Sequence, residues 1–188
     1  RQGLSGLGAS PDCSPITQCL PPSVPISNLL ADPSAFVLRF QSTVEVRPTP
    51  QFTIAFSPRA QIASRQLLSF EQFTLGNYTV GRGFDPGAVL GDSGLGGSLE
   101  LRLGSLIPRG RDAFALQPYG FVDAGWAWTR DKGLTSDPRR LISAGGGLRA
   151  RWGDRIDANL LVAAPLERLP GAARRGDVRV LFNIVARI

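Results

Sequence analysis

The sequence predicts an all-β fold, an antiparallel transmembrane β-barrel, on three observations. Apolar and polar residues alternate with a period of two through about seven segments. In most segments one face carries Arg, Glu or Asp in mid-strand, while the other is aliphatic or aromatic, the lipid-out, lumen-in pattern of a barrel wall. The connections alternate between tight turns and long polar loops, as in outer-membrane barrels. No run of about 18 apolar residues occurs, which excludes crossing by a helix.

The segments follow in order. Residues 1–35 are rich in Gly, Ser and Pro and read as loop. From Phe36, Leu38, Phe40, Val44 and Val46 share one face against Arg39, Gln41, Thr43, Glu45 and Arg47. After a short "PTP" turn, Phe52, Ile54 and Phe56 oppose Thr53, Ala55 and Ser57. Beyond a glycine-rich stretch, Leu99, Leu101 and Leu103 oppose Ser98, Glu100 and Arg102. In "QPYGFVDAGWAW", Val122, Ala124, Trp126 and Trp128 oppose Tyr119, Phe121, Asp123 and Gly125. Ile142, Ala144, Leu148, Ala150 and Trp152 oppose Ser143, Arg149 and Arg151. A tight "GDR" leads to Ile156, Ala158, Leu160 and Val162 against Asp157 and Asn159. The last segment sets Val178, Val180, Phe182, Ile184, Ala186 and Ile188 against Arg179, Leu181, Asn183, Val185 and Arg187. The three Trp residues fall toward strand ends, where an interfacial aromatic girdle would place them. Long connections cover residues 64–96, 129–140 and 165–177. About seven strands are too few to close a barrel of about eight or more, so the wall needs further strands.

Composition removes several functions. The 188 residues contain no His and no Met, and Lys132 is the single lysine. His-based triads and general bases are therefore excluded, and an enzymatic role is not expected. Asp85 and Asp92 lie in the glycine-rich stretch with no evident pocket. The net charge of +6 comes from arginines scattered singly, without the clustered basic and aromatic platform that nucleic acid requires. Cys13 and Cys19 are either two unrelated thiols or a small loop-closing disulfide; with no His present, no protein zinc site is expected. The sequence starts without Met and without an apolar signal segment, which reads as a piece of a longer chain.

The stretch Tyr78–Gly97 holds seven glycines in twenty residues, with Arg82, Asp85 and Asp92 among them. "GRGFDPG" lacks the Gly-Lys-Ser/Thr ending of a phosphate loop and runs toward a strand, so no nucleotide is expected. Val80 and Phe84 flank Arg82, which favours a loop that packs inward and finds a carboxylate over a solvated linker. Asp123, on the polar face of "FVDAG", is one such carboxylate, with glycines beside it leaving room for a close approach. Pairing of Asp123 with Arg149 or Arg151 on the next strand is equally compatible with the periodicity.

With these residues in place, the chain resembles the C-terminal half of the two-partner secretion transporters. These outer-membrane pores export haemolysins and filamentous haemagglutinins, and belong to a superfamily that pairs POTRA domains with a β-barrel. Their Val-Arg-Gly-Phe/Tyr tetrad, on a loop folded into the lumen, is matched here by Val80, Arg82, Gly83 and Phe84, followed by Asp85 and Gly87. Gly81 interrupts the tetrad. Their Phe/Gly-x-Asp-x-Gly strand motif is matched by Phe121, Asp123 and Gly125. The resemblance runs from Phe36 to the end and implies that Arg82 bonds Asp123. It also implies that 36–188 supplies the last seven or so strands of a barrel of about sixteen. Residues 64–96 would then form the inward-folded loop, and 1–35 an extracellular segment. The chain ends in Ile188 rather than the aromatic residue common at such termini, and it holds no POTRA domain.

The function implied is a passive export pore through which a partner exoprotein threads unfolded to the cell surface. Its other partner is outer-membrane lipid, with no nucleotide, metal or other cofactor. Arg39, Glu45, Glu100, Arg102, Arg149, Arg151, Asp157, Arg179 and Arg187 would line the lumen, with the Arg82 loop as plug or brace. Two alternatives stand beside it: a barrel-assembly insertase of the same superfamily, and a soluble β-sandwich binding module.

Overall fold

The computed structural model describes residues 31–32, 34–76, 80–110, 112–130, 139–169 and 174–187. Cys13, Cys19 and Lys132 lie outside them, as does most of the segment 1–35. The architecture is one antiparallel sheet with a folded loop on its inner face. The strands are β1 (Val37–Gln41), β2 (Val44–Thr49), β3 (Phe52–Ala63), β4 (Phe73–Leu75), β5 (Val89–Gly91), β6 (Ser93–Leu103), β7 (Phe114–Trp128), β8 (Arg139–Trp152), β9 (Ile156–Pro165) and β10 (Arg179–Ala186). The large sheet has eight strands in the order β1-β3-β6-β7-β8-β9-β10, with β2 also pairing β3.

Strands that follow one another along the wall pair as antiparallel neighbours, β6 joining β3 across the long loop that separates them. β1 and β2 lie end to end along β3, which pairs Gln41 with Arg59 and Val44 with Phe56. The single strand expected from Phe36 is thus broken at Ser42 and Thr43, although the Ser42 amide still donates to the Pro58 carbonyl at 3.1 Å. β7 runs for 15 residues and β8 for 14, longer than the 9–11 that cross a bilayer at a tilt.

The two faces differ as the alternation predicts. In β7, Ala115, Gln117, Tyr119, Phe121, Asp123 and Ala127 are buried, whereas Phe114, Leu116, Val122 and Trp126 are exposed. Exposed Leu38, Phe40, Leu99, Leu101, Leu160 and Phe182 carry the same apolar face across the other strands. An apolar face of this extent on a soluble domain would need a cover. Among the described residues no second sheet covers it.

On the inner face, β4 and β5 form a separate two-stranded hairpin against β7 and β8. Phe73, Leu75, Val80, Phe84 and Val89 from the loop close over Ala127 and Leu141 of the wall. The loop therefore has its own apolar underside. Its extent differs from the expected 64–96: residues 93–97 belong to β6, paired with β7 from Ser93↔Trp128 to Gly97↔Ala124. Glycines that read as loop are strand residues here because side chains of the loop occupy their missing Cβ space. Gly94 is one such position, its Cβ space filled by the Phe73 ring, and in β7 Leu75 Cδ2 fills the space over Gly125 in the same way, 2.6 Å from where its Cβ would sit. A loop side chain rather than backbone fills the room beside Asp123.

An arginine on the apolar face should be costly. Val122→Arg, near the middle of β7, is expected to destabilise the full-length protein in lipid by about 2–4 kcal/mol. Urea titration in bilayers, with Val122→Leu as control, measures it; an effect below 0.5 kcal/mol, roughly the size of an ordinary surface change, would contradict a lipid-facing wall.

Candidate functional site: the buried Arg82 loop

The loop tip is shaped by one glycine. Gly81 has φ +88°, a conformation that L side chains rarely adopt, and its Cβ would lie 2.5 Å from Leu141 Cδ1. That backbone turn lets Val80 and Phe84 both point into the apolar cluster while Arg82, between them, points at the wall. The Gly76 amide donates to the Val80 carbonyl at 2.9 Å and the Phe84 amide to the Gly81 carbonyl at 2.9 Å, closing the tip. The residue that interrupts the tetrad is the one that makes its geometry possible.

Arg82 is 5% exposed and Asp123 fully buried. Arg82 Nε donates to Asp123 Oδ2 at 3.0 Å and Nη2 to Oδ1 at 2.8 Å, a bidentate pair. The amides of Gly81 and Arg82 also donate to Oδ2, at 3.1 and 3.0 Å. Across the sheet Asp123 is paired with Ser98 on β6 and Ser143 on β8. These short side chains leave a slot that the guanidinium fills, and Nη2 donates to Ser98 Oγ at 2.6 Å. The Arg82 guanidinium carbon stands 3.4 Å from the centroid of the Phe121 ring, a cation–π contact beneath the ion pair. Burial alone would lower the Arg82 pKa, but the hydrogen bonds and charges of Asp123 and Glu100 outweigh it and raise it above the ordinary value. The loop cation stays charged.

Of the two pairings left open for Asp123, the structure has Arg82. Arg149 instead bonds Glu100 at 2.8 Å and stacks over Tyr119 at 4.2 Å, while Arg151 bonds Asp157 at 2.5 Å. Glu100 does more than line a face. It accepts from Arg82 Nη1 at 3.0 Å and from Arg102 Nε at 2.5 Å, and Arg102 continues to Glu45 at 2.5 Å. The motif match does not name Glu100 and Ser98 as Arg82 partners. The signal was present, since both lie on the β6 face that adjoins Asp123. Asp85 is exposed and reaches Arg179 at the start of β10 at 2.6 Å, so of the tip residues it alone bonds the last strand by a side chain. Gly87 sits in a turn with φ +72° and nothing near its Cβ position. Among the described residues, no group of three or more potential metal ligands is close enough to hold an ion.

The arrangement can hold or release a loop; nothing in it activates a nucleophile. Arg82→Ala would leave Asp123 buried without its cation, a penalty of about 3–5 kcal/mol. Arg82→Lys would not restore a bidentate fork. Gly81→Ala adds backbone strain of about 1–3 kcal/mol, which Leu141→Ala relieves only in its steric part. Amide exchange at Val80–Phe84 reads all three, and wild-type protection in Arg82→Ala would refute the lock.

The comparisons with known proteins follow this geometry. A family model described as "Haemolysin secretion/activation protein ShlB/FhaC/HecB" matches residues 1–150. The match thus includes the first 35 residues, outside the span read from the motifs, and stops within β8, short of β9 and β10. No curated protein sequence matches. The solved structure of CdiB from Acinetobacter baumannii aligns with a TM-score of 0.54 at 24% identity, a likeness of fold. The alignment covers 81% of this chain and 27% of the CdiB chain, so the chain spans little more than a quarter of that protein. With the family model covering most of its length, the chain belongs to the ShlB/FhaC/HecB family, outer-membrane β-barrel proteins of two-partner secretion.

Proposed function

We propose that this chain forms part of the wall of an outer-membrane pore that passes an unfolded partner exoprotein, with the Arg82 loop as its internal brace. The observation that carries the proposal is the bidentate Arg82–Asp123 pair, buried on the inner side of a sheet whose outer side is apolar. A long loop held by a charged lock at one point can stay docked at rest and leave as a unit. The apolar outer face fits lipid, and the inner face, with Glu100, Arg102, Arg149 and Arg151, fits a hydrated passage. Residues 36–188 are the wall, and residues 1–35 are an extracellular segment before it. Neither nucleotide nor metal enters this scheme; passage is driven by folding of the exported chain outside.

The sequence of the exported partner is not needed to test this. Arg82→Ala and Asp123→Ala, each in the full-length protein, should abolish secretion of the partner while the amount of folded barrel in the outer membrane stays unchanged. A penalty of about 3 kcal/mol lowers the docked fraction of the loop more than a hundredfold relative to the undocked one, which is large enough to read in culture supernatants. Normal secretion by both variants would sink the brace. The insertase alternative predicts instead that the variants lose other outer-membrane barrels and not one secreted protein.

A further inference from the structure

A third buried carboxylate sits at the other end of the loop, and the pore proposal leaves it unused. Asp92 lies between β5 and β6 with its side chain fully buried. Its Oδ1 accepts the Leu67 amide at 2.9 Å and Gln72 Nε2 at 3.3 Å; its Oδ2 accepts the Arg130 amide at 2.7 Å. Leu67 is where the chain leaves β3, Gln72 where it enters β4, and Arg130 where it leaves β7. One carboxylate therefore ties both feet of the loop to the start of the next long connection. The same joint is sealed by Gln61 of β3, whose Nε2 donates to the Asp92 carbonyl at 3.0 Å and to the Glu71 carbonyl at 3.0 Å. Ser93 Oγ accepts the Ala63 amide at 3.0 Å.

We infer that Asp92 is the positioning residue of the loop's root: it fixes the direction in which the loop leaves the wall and so delivers Arg82 to Asp123. The inference rests on the brace reading of the loop and adds to it a fixed end. The two ends differ in kind. At the tip a cation meets two carboxylates, a contact that ends when the cation leaves. At the root the described donors to Asp92 are two backbone amides and one side-chain amide, held on two separate segments, the β3–β4 connection and the exit of β7. No single side chain can withdraw and undo such a joint. The tip is the releasable contact and the root is the pivot, with the β4–β5 hairpin as the arm between them. Asparagine cannot replace the aspartate fully. Its amide group can accept on one side only and would turn an N–H toward either Arg130 N or Leu67 N.

Docking of the tip can be read without secretion. Val80 Cγ1 lies 3.3 Å from the Cβ position of Gly96, so a Val80→Cys/Gly96→Cys pair reports the docked loop by its disulfide. The experiment uses the full-length protein in outer membranes, with Cys13 and Cys19 replaced by serine. Against that background Asp92→Ala should lower the disulfide yield several-fold and Asp92→Asn by less. The heat-modifiable folded band should persist in both. Wild-type yield in Asp92→Ala, or in Asp92→Asn should the alanine variant not fold, overturns the inference. So does a fall confined to molecules that have lost the folded band. A low yield with normal secretion would keep the root assignment and remove the brace reading, so the two fail separately.

Discussion

Placing a guanidinium in a buried slot constrains everything around it. Arg82 has five N–H donors, and four of them are used, on Asp123 twice, Ser98 and Glu100. An unpaired charge at this depth would be prohibitive, so loop and wall have to meet in one register. The wall supplies an anion on β7, a second on β6, and short serines beside the first. The loop supplies a turn that aims one side chain between two apolar neighbours. Neither half has its charge fully paired without the other. The inner surface of the wall would otherwise expose Asp123 with a single long hydrogen bond from a wall side chain, that of Ser143 Oγ at 3.5 Å.

The apolar half of the contact does separate work. Phe73, Leu75, Val80, Phe84 and Val89 bury themselves against Ala127 and Leu141 and supply non-directional adhesion. Such a surface could slide by a residue at small cost. The bidentate pair cannot, since its geometry is satisfied at one position only. Adhesion comes from the cluster and register from the ion pair, which is why the two lie on adjacent layers of the same face.

Much of this was legible in the alternation of residues. Every face assigned to β7 from the period of two agrees with the burial of its side chains, because lipid and interior impose opposite demands on successive residues. Arg82 stood out for its apolar neighbours, and Asp123 for standing on a polar face among glycines. What was hidden has physical causes. Gly94, Gly96 and Gly97 read as loop, since strand propensity cannot register that Phe73 and Val80 fill the space above Gly94 and Gly96. The break at Ser42 and Thr43 leaves the alternation intact and so leaves no mark on it. Glu100 looked like one lining residue among many. Its three arginines converge from two strands and a loop, and no local pattern encodes that convergence.

The lining itself is less charged than the sequence suggests. Arg82, Arg102 and Arg149 face Asp123, Glu100 and Glu45, three cations against three anions, while Arg151 and Arg187 share Asp157. Five arginines thus face four carboxylates, an excess of one, so little of the net charge of +6 is left as a positive field on this part of the inner face. A surface of largely compensated ion pairs holds an acidic segment, or repels a basic one, only weakly. For the proposed passage of a long chain of mixed charge, this matters more than any single lining residue. Selection by charge would stall the chain at its first unfavourable stretch. On the proposed reading, the loop braces the wall, and the inner face is built to offer as little resistance as its arginines allow.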